Sequence, residues 1–272
     1  MTSLAISLSV DSRGPCALYI FTDSRITWGN SADRWDGGQK TFCSRRFPDI
    51  FGYCGDAYFP PMMLRQIIEQ LDSGLLCSDS ANPSQRHESV LSAMDQAIKR
   101  VSGNPPRADF SIFHGARAGS RMQSTFALWE TRYLQKNKQW IDNPREIVET
   151  HSYLAQIDGS GAGSITCEND KWQATSAAQT SRSSVWSFFD ALRSKTDKFS
   201  GGPPQMVGLW RVGSGRHFGL VWNGWPYVAG LRACGDLSNP EFRWFDDSFE
   251  PCDADGKRLK PDKAHFRPTS PA

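Results

Sequence analysis

Apolar and polar residues alternate through Leu4-Ala5-Ile6-Ser7-Leu8-Ser9-Val10, and a second apolar run, Cys16-Ala17-Leu18-Tyr19-Ile20-Phe21, follows after Asp11-Ser12-Arg13-Gly14. A period of two is the mark of a strand, and Asp, Ser and Gly favour turns, so residues 3–10 and 15–22 are expected to form a hairpin. Trp28 to Gln39 is rich in Asn, Asp and Gly and reads as a loop before Lys40-Thr41-Phe42. Asp49-Ile50-Phe51-Gly52-Tyr53 supplies a further strand.

The period then changes. Pro60-Pro61 suits the first turn of a helix, where a missing N–H costs little, and Leu64, Ile67, Ile68 and Leu71 follow at helical spacing. A second helix is expected from about Ser84 to Ser102, burying Leu91, Met94, Ile98 and Val101. Asp109 to Phe113, Ser124 to Trp129 and Val148 to Ile157 read as strands, with the charged stretch Glu130 to Glu146 unassigned. Helical spacing returns after Gly161, most clearly in Val185, Phe188, Phe189 and Leu192. Strands close the pattern at Met206 to Val212 and His217 to Trp222, around a Gly213-Ser214-Gly215 turn.

Strands, two helices, strands, two helices, strands is an order that suits an α+β fold of two stacked antiparallel sheets with helices on both outer faces. Residues 1–234 are read as one domain. From 235 to 272 the chain turns rich in Pro, Asp and Lys and is expected to be an extension or docking tail with little core of its own.

Composition narrows the function classes. The chain has 272 residues, 39% hydrophobic and 22% charged, with 31 basic against 29 acidic side chains. A net charge of +2 gives no electrostatic footprint for nucleic acid or an anionic membrane. Seven scattered cysteines without a C-x-x-C pair suggest reduced, packed thiols. With no signal-peptide pattern and no apolar run long enough to span a bilayer, the expectation is a cytoplasmic protein.

Several segments bear on chemistry: Thr2 behind Met1, Thr22-Asp23-Ser24-Arg25, Lys40, Gly52-Tyr53-Cys54-Gly55-Asp56-Ala57, Gly159-Ser160-Gly161, and Asp197-Lys198-Phe199-Ser200-Gly201-Gly202. Taken singly, each has an ordinary structural reading. Asp23 and Lys40 could staple two strands, Gly55 could be a strand-to-helix turn, Ser160 a helix cap, and Asp197 and Ser200 loop formers.

In this order and spacing the segments resemble the N-terminal-nucleophile hydrolases of the proteasome β-subunit and HslV type, over roughly residues 2 to 230. The first hairpin is longer than the family pattern, and the stretch between Gly55 and Ser160 carries an insertion. The resemblance implies a four-layer αββα sandwich and a threonine peptidase that cleaves peptide bonds through an acyl ester on Thr2. Removal of Met1 would free the Thr2 α-amine to act as base. An α-amine titrates near pH 7.7–8.0 and a neighbouring ammonium lowers that value, which is the role the resemblance implies for Lys40, held by Asp23. The Gly55 N–H would face the oxyanion, Ser160, Asp197 and Ser200 would orient the amine and a water, and Ile26, Tyr53 and Ala57 would line the first specificity pocket unless they are simply core. The resemblance further implies peptide or unfolded-protein substrates, a homo-oligomeric ring, an ATPase unfoldase as partner, and no cofactor.

Two other readings stay open: an amidase of the same mechanism acting on a small amide, and a catalytically silent, partner-binding member that keeps Met1. Other motifs are weak. Gly159-Ser160-Gly161 lacks the spacing of a nucleophile elbow, no dinucleotide or Walker loop is present, and the five histidines form no metal-ligand pattern.

Overall fold

A computed structural model describes residues 2–28, 33–102, 106–260 and 267. Met1, four residues of the expected loop (29–32), residues 103–105, and residues 261–266 and 268–272 of the expected tail lie outside the described residues. In chain order the elements are β1 (Ser3–Asp11), β2 (Gly14–Thr22), β3 (Arg25–Thr27), β4 (Arg34–Asp36), β5 (Thr41–Cys43) and β6 (Asp49–Gly55). Next come α1 (Phe59–Asp72), α2 (Pro83–Lys99), β7 (Phe110–Ala118), β8 (Thr125–Leu134), β9 (Gln139–Arg145) and β10 (Tyr153–Gly159). After α3 (Ala162–Gln173) and α4 (Ser181–Ser194) the chain ends in β11 (Gln205–Trp210), β12 (Arg216–Trp222), β13 (Trp225–Val228), β14 (Leu231–Arg232), β15 (Trp244–Phe245) and β16 (Pro251–Cys252).

The strands form a nine-stranded sheet ordered β10-β1-β2-β11-β12-β13-β14, with β15 and β16 joined at β12, a five-stranded sheet ordered β5-β6-β7-β8-β9, and a two-stranded pair, β3-β4. Leu4, Ile6, Leu8, Leu18 and Ile20 face Ile50, Phe113, Phe126 and Leu128 between the sheets. The alternate residues Ala5, Ala17, Tyr19 and Phe21 pack on Val185, Phe188, Phe189 and Leu192 of α4. β1 and β2 are therefore buried on both faces. Small residues on the α4 side of β1, Ala5 with the buried Ser7 and Ser9, let that helix approach closely.

The expected four-layer αββα sandwich is corrected by this architecture. Strand outweighs helix, 36% to 24%, and large antiparallel sheets carry the fold in place of complete flanking helical layers. The physical reason is width: two helices side by side span about 20 Å, roughly four strands at about 4.8 Å spacing, fewer than either sheet contains. Among the described residues no helix is long and apolar enough to cross a membrane.

Three segments depart further from the pattern reading. The expected loop from Trp28 to Gln39 carries the short strand β4, which pairs with β3. The unassigned stretch forms the end of β8 and the whole of β9, an edge strand with five of its seven residues in a row exposed, where neither an apolar face nor the absence of proline is required. Beyond residue 234, Trp244–Phe245 adds a parallel strand to β12, and Phe245 and Phe249 enter the α4 core. Gly219 makes room for this, since a Cβ there would lie 2.1 Å from the Trp244 indole.

Helix α2 starts with a reciprocal capping box between Asn82 and Gln85. It buries Arg86, His87, Val90 and Met94, with Leu91 and Ile98 only partly covered, and ends before Val101. Carboxylates beneath it explain the polar face. Arg86 forms a two-point ion pair with Asp49, and the His87 Nε2–H donates to Asp142 at 3.1 Å. His87 Nδ1 stands 3.0 Å from His114 Nδ1, while His114 Nε2 is 3.1 Å from Asp49. Phe51 stacks on His114 and Trp129 on His87.

Burial and the adjacent His114 push His87 down to about 4. Since an unfolded histidine titrates near 6.5, the unfolded chain binds the extra proton first as pH falls. This contribution to stability is whole above about pH 6.5 and is lost progressively towards pH 4, by about 3 kcal/mol. Urea unfolding at several pH values between 7 and 4 checks it. His87→Gln should flatten the slope by about one proton, and an unchanged slope would contradict the assignment.

Candidate active site

The start of β1 lies between the ends of β2 and β10, with Ser3 opposite Gly159 and Leu4 opposite Thr22. This pairing buries Thr2 to 1% exposure. The Gly161 N–H donates to the Thr2 carbonyl at 3.3 Å, and the Asp23 N–H to the Ser3 carbonyl at 3.1 Å. Gly159 has φ +87°, and a Cβ there would lie 2.0 Å from the Thr2 carbonyl oxygen, so only glycine fits.

On the β2 side, Asp23 and Lys40 are both fully buried and pair at 2.7 Å. Asp23 Oδ1 also accepts the Ser3 N–H at 3.0 Å, while Oδ2 accepts those of Gly201 at 2.9 Å and Arg25 at 3.2 Å. Lys40 stands just ahead of β5, so the pair ties the two sheets together. Burial lowers the Lys40 ammonium from its ordinary value, with the Asp23 charge opposing the shift.

On the β10 side, Ser160 Oγ donates to Asp197 Oδ2 at 2.7 Å and reaches the Thr2 carbonyl at 3.5 Å. Ser3 Oγ donates to Ser200 Oγ, which in turn donates to Asp197 Oδ2, both at 2.7 Å. Burial raises the Asp197 carboxyl, but donation from Ser160, Ser200 and the Phe199 N–H outweighs it and holds the group below the usual carboxylate range. Ser160 makes no helix cap, since the N-cap of α3 is Gly161. The bend that carries Asp197 begins at Lys195, which ends α4 in a left-handed conformation, φ 54°.

Thr2, Asp23, Lys40, Ser160, Asp197 and Ser200 are thus linked through one hydrogen-bonded region. Gly55 ends β6 at φ +104°, where a Cβ would meet the Asp109 carbonyl at 2.4 Å. Of the expected pocket residues, Ile26 is buried on β3 and Ala57 is half-buried before α1. Tyr53 lies in the packed cluster under α1 with Met63, Leu64 and Phe110, a core position.

Gln205 and Asp36 escaped the pattern reading, and Arg25, within the Thr22–Arg25 segment, had no role assigned to it. Gln205, the buried first residue of β11, accepts the Lys40 N–H at 3.0 Å and donates to the carbonyls of Gly38 and Asp23. A polar residue opening an apolar strand was its only signal. Arg25 holds Asp36 through two bonds of 2.7 and 2.8 Å and donates to the carbonyls of Lys198 and Ser200. Beside them opens a cleft of about 890 Å³, lined by Arg25, Asp36, Asp197, Ser200, Trp222 and Tyr227 among others.

Among the described residues no group of three or more His, Cys, Asp or Glu side chains could hold a metal ion. The chain matches no protein-family model and no curated protein. What the geometry offers chemically is a buried ammonium–carboxylate pair on one side of the Thr2 backbone and a hydroxyl–carboxylate chain on the other.

The two halves of the ion pair should not be equal in cost. Asp23→Ala removes the carboxylate that a buried ammonium and three backbone N–H groups share and should destabilise the chain by about 3–5 kcal/mol. Lys40→Met leaves Asp23 its three backbone donors and should cost about half as much. Chemical denaturation of both variants tests the order; equal losses would show that the backbone donors contribute little.

Proposed function

We propose that this chain is a threonine-dependent hydrolase of peptide bonds, with Thr2 as nucleophile and its α-amine, freed by removal of Met1, as base. The observation that carries the reading is the convergence on the Thr2–Ser3 backbone of the Lys40–Asp23 pair and the Ser160–Asp197–Ser200 chain. In this reading the hydroxyl oxygen of Thr2 attacks the scissile carbonyl as the amine takes its proton. The acyl ester then forms as the leaving amine is protonated, and water releases the acyl group while regenerating the Thr2 hydroxyl. The Lys40 ammonium disfavours a second positive charge beside it and so helps keep the amine neutral. Asp197, held ionised by its hydroxyl donors, orients that amine, and the Gly55 N–H serves the oxyanion.

The burial of Thr2, at 1% exposure, and the core position of Tyr53 favour a second reading, in which the substrate is a small amide and not a polypeptide. We take the enzyme to be cytoplasmic. As a peptidase it would work in a homo-oligomeric ring fed by an ATPase unfoldase, an assembly that light scattering would detect.

Intact mass of the purified protein should lack Met1, and Thr2→Ala should abolish turnover of fluorogenic peptides. Lys40→Met should reduce kcat/KM by about 100-fold or more, whereas Lys40→Arg, which keeps the cation, should retain part of it. Activity should rise with pH as the Thr2 amine loses its proton. Retained Met1 with no turnover would overturn the hydrolase reading, and turnover of small amides alone would select the second.

A further inference from the structure

At the end of β6 and β7 opposite Gly55 lies a cationic group that the proposed chemistry does not use. Arg117 is only 6% exposed. Its Nε donates to the Gly119 carbonyl at 3.1 Å, and one terminal nitrogen donates to the carbonyl of Trp210. The second terminal nitrogen has no acceptor, and no carboxylate pairs with Arg117, among the described residues.

The nearby carboxylates are already engaged. Asp49 takes both Arg86 bonds, at 2.7 and 3.1 Å, together with His114. Asp79 is held by Arg46 at 2.6 Å and is largely exposed. Arg86 cannot relieve Arg117 either; it donates to the Arg117 carbonyl and adds a second positive charge beside it. Burial first, and Arg86 second, push the Arg117 guanidinium below its usual value, with Asp49 opposing. A buried cation without a counter-charge is costly, and native proteins generally pair one or neutralise it.

Arg117 also lines a cleft of about 530 Å³, with Arg46, Phe47, Asn82 and Arg86 among its walls, and with one carboxylate, Asp79, which is paired to Arg46. Arg46 and Arg86 both lie over the Phe47 ring, at 5.7 and 5.5 Å from its centroid, which fixes the cationic wall. Asn82 and Pro83 begin the 17-residue helix α2, whose positive end adds to the same field. Concavity, a largely buried guanidinium bonded to no carboxylate, and this field coincide at one place.

We propose that this cleft is an oxyanion-binding site, in which one phosphate or carboxylate group supplies the missing counter-charge of Arg117. The remaining terminal N–H of Arg117 donates to the anion, and Arg46 at the rim adds long-range attraction. The site is separate from Thr2 and does not depend on the hydrolase reading.

Thermal unfolding of the full chain at constant ionic strength, with inorganic phosphate, acetate or chloride, tests it. Phosphate or acetate should raise Tm saturably, by about 5 °C at a hundred times the dissociation constant, with chloride inert. A response to phosphate alone assigns a phosphoryl ligand; a response to acetate alone assigns a carboxylate.

Arg117→Met should abolish the shift, at a cost in basal Tm because the carbonyls of Gly119 and Trp210 lose their donor. Should that variant fail to fold, ³¹P line broadening of phosphate by the native chain, relieved by excess unlabelled sulfate, gives the same information. No saturable shift or broadening beyond chloride, or a full shift in a folded Arg117→Met, overturns the proposal.

Discussion

The carboxylate of Asp23 is the interaction on which the rest of the candidate site depends. It is fully buried, yet it receives an ammonium and three backbone N–H groups from four separate segments. A buried carboxylate is tolerated only when its lone pairs are so occupied. In satisfying them the chain must bring the start of β1, the residue before β5, the turn after β2 and the Gly201 loop to one point. The requirement that makes Asp23 stable is therefore the same one that assembles the region around Thr2.

The fold supplies this point from two directions. β1 and β2 form the middle of the molecule, with one face against the second sheet and the other beneath α4. The Gly159 turn closes on the Thr2 carbonyl from β10, and the loop after α4 delivers Asp197 and Ser200. Helices cover only part of each sheet. The C-terminal strands and the Arg25–Asp36 clamp enclose other margins, and the cleft beside Ser200 lies at that clamp.

Much of this was legible in the residues, for identifiable reasons. The hairpin of β1 and β2 and the stripe of α1 have strong periodicity because each buries a continuous face. Asp23, Lys40, Ser160, Asp197 and Ser200 stood out only through the order of their segments, which resembles one hydrolase family; taken singly, each has an ordinary structural reading. By contrast, β9 has almost no buried face and so no hydrophobic signature. Trp244, Phe245 and Phe249 lie in a polar context that reads as a tail, and their burial depends on Gly219 and on the edge of β12, which only the folded chain brings near. Layer count failed for a similar reason: element order shows which helices exist, whereas coverage depends on sheet width. Gln205 and Arg117 were missed because their significance lies wholly in partners, or missing partners, distant in sequence.

The double-sided burial of β1 has a consequence for motion. A strand hydrogen-bonded on both edges and covered on both faces belongs to the part of a protein whose amides exchange with solvent only when the whole molecule opens. Thr2 immediately precedes that strand, and its carbonyl is bonded to the turn that follows β10. Its position is thereby coupled to global unfolding rather than to the fraying common at chain ends. Thr2 should therefore hold its place on the timescale of global opening, while exposed loop positions exchange faster.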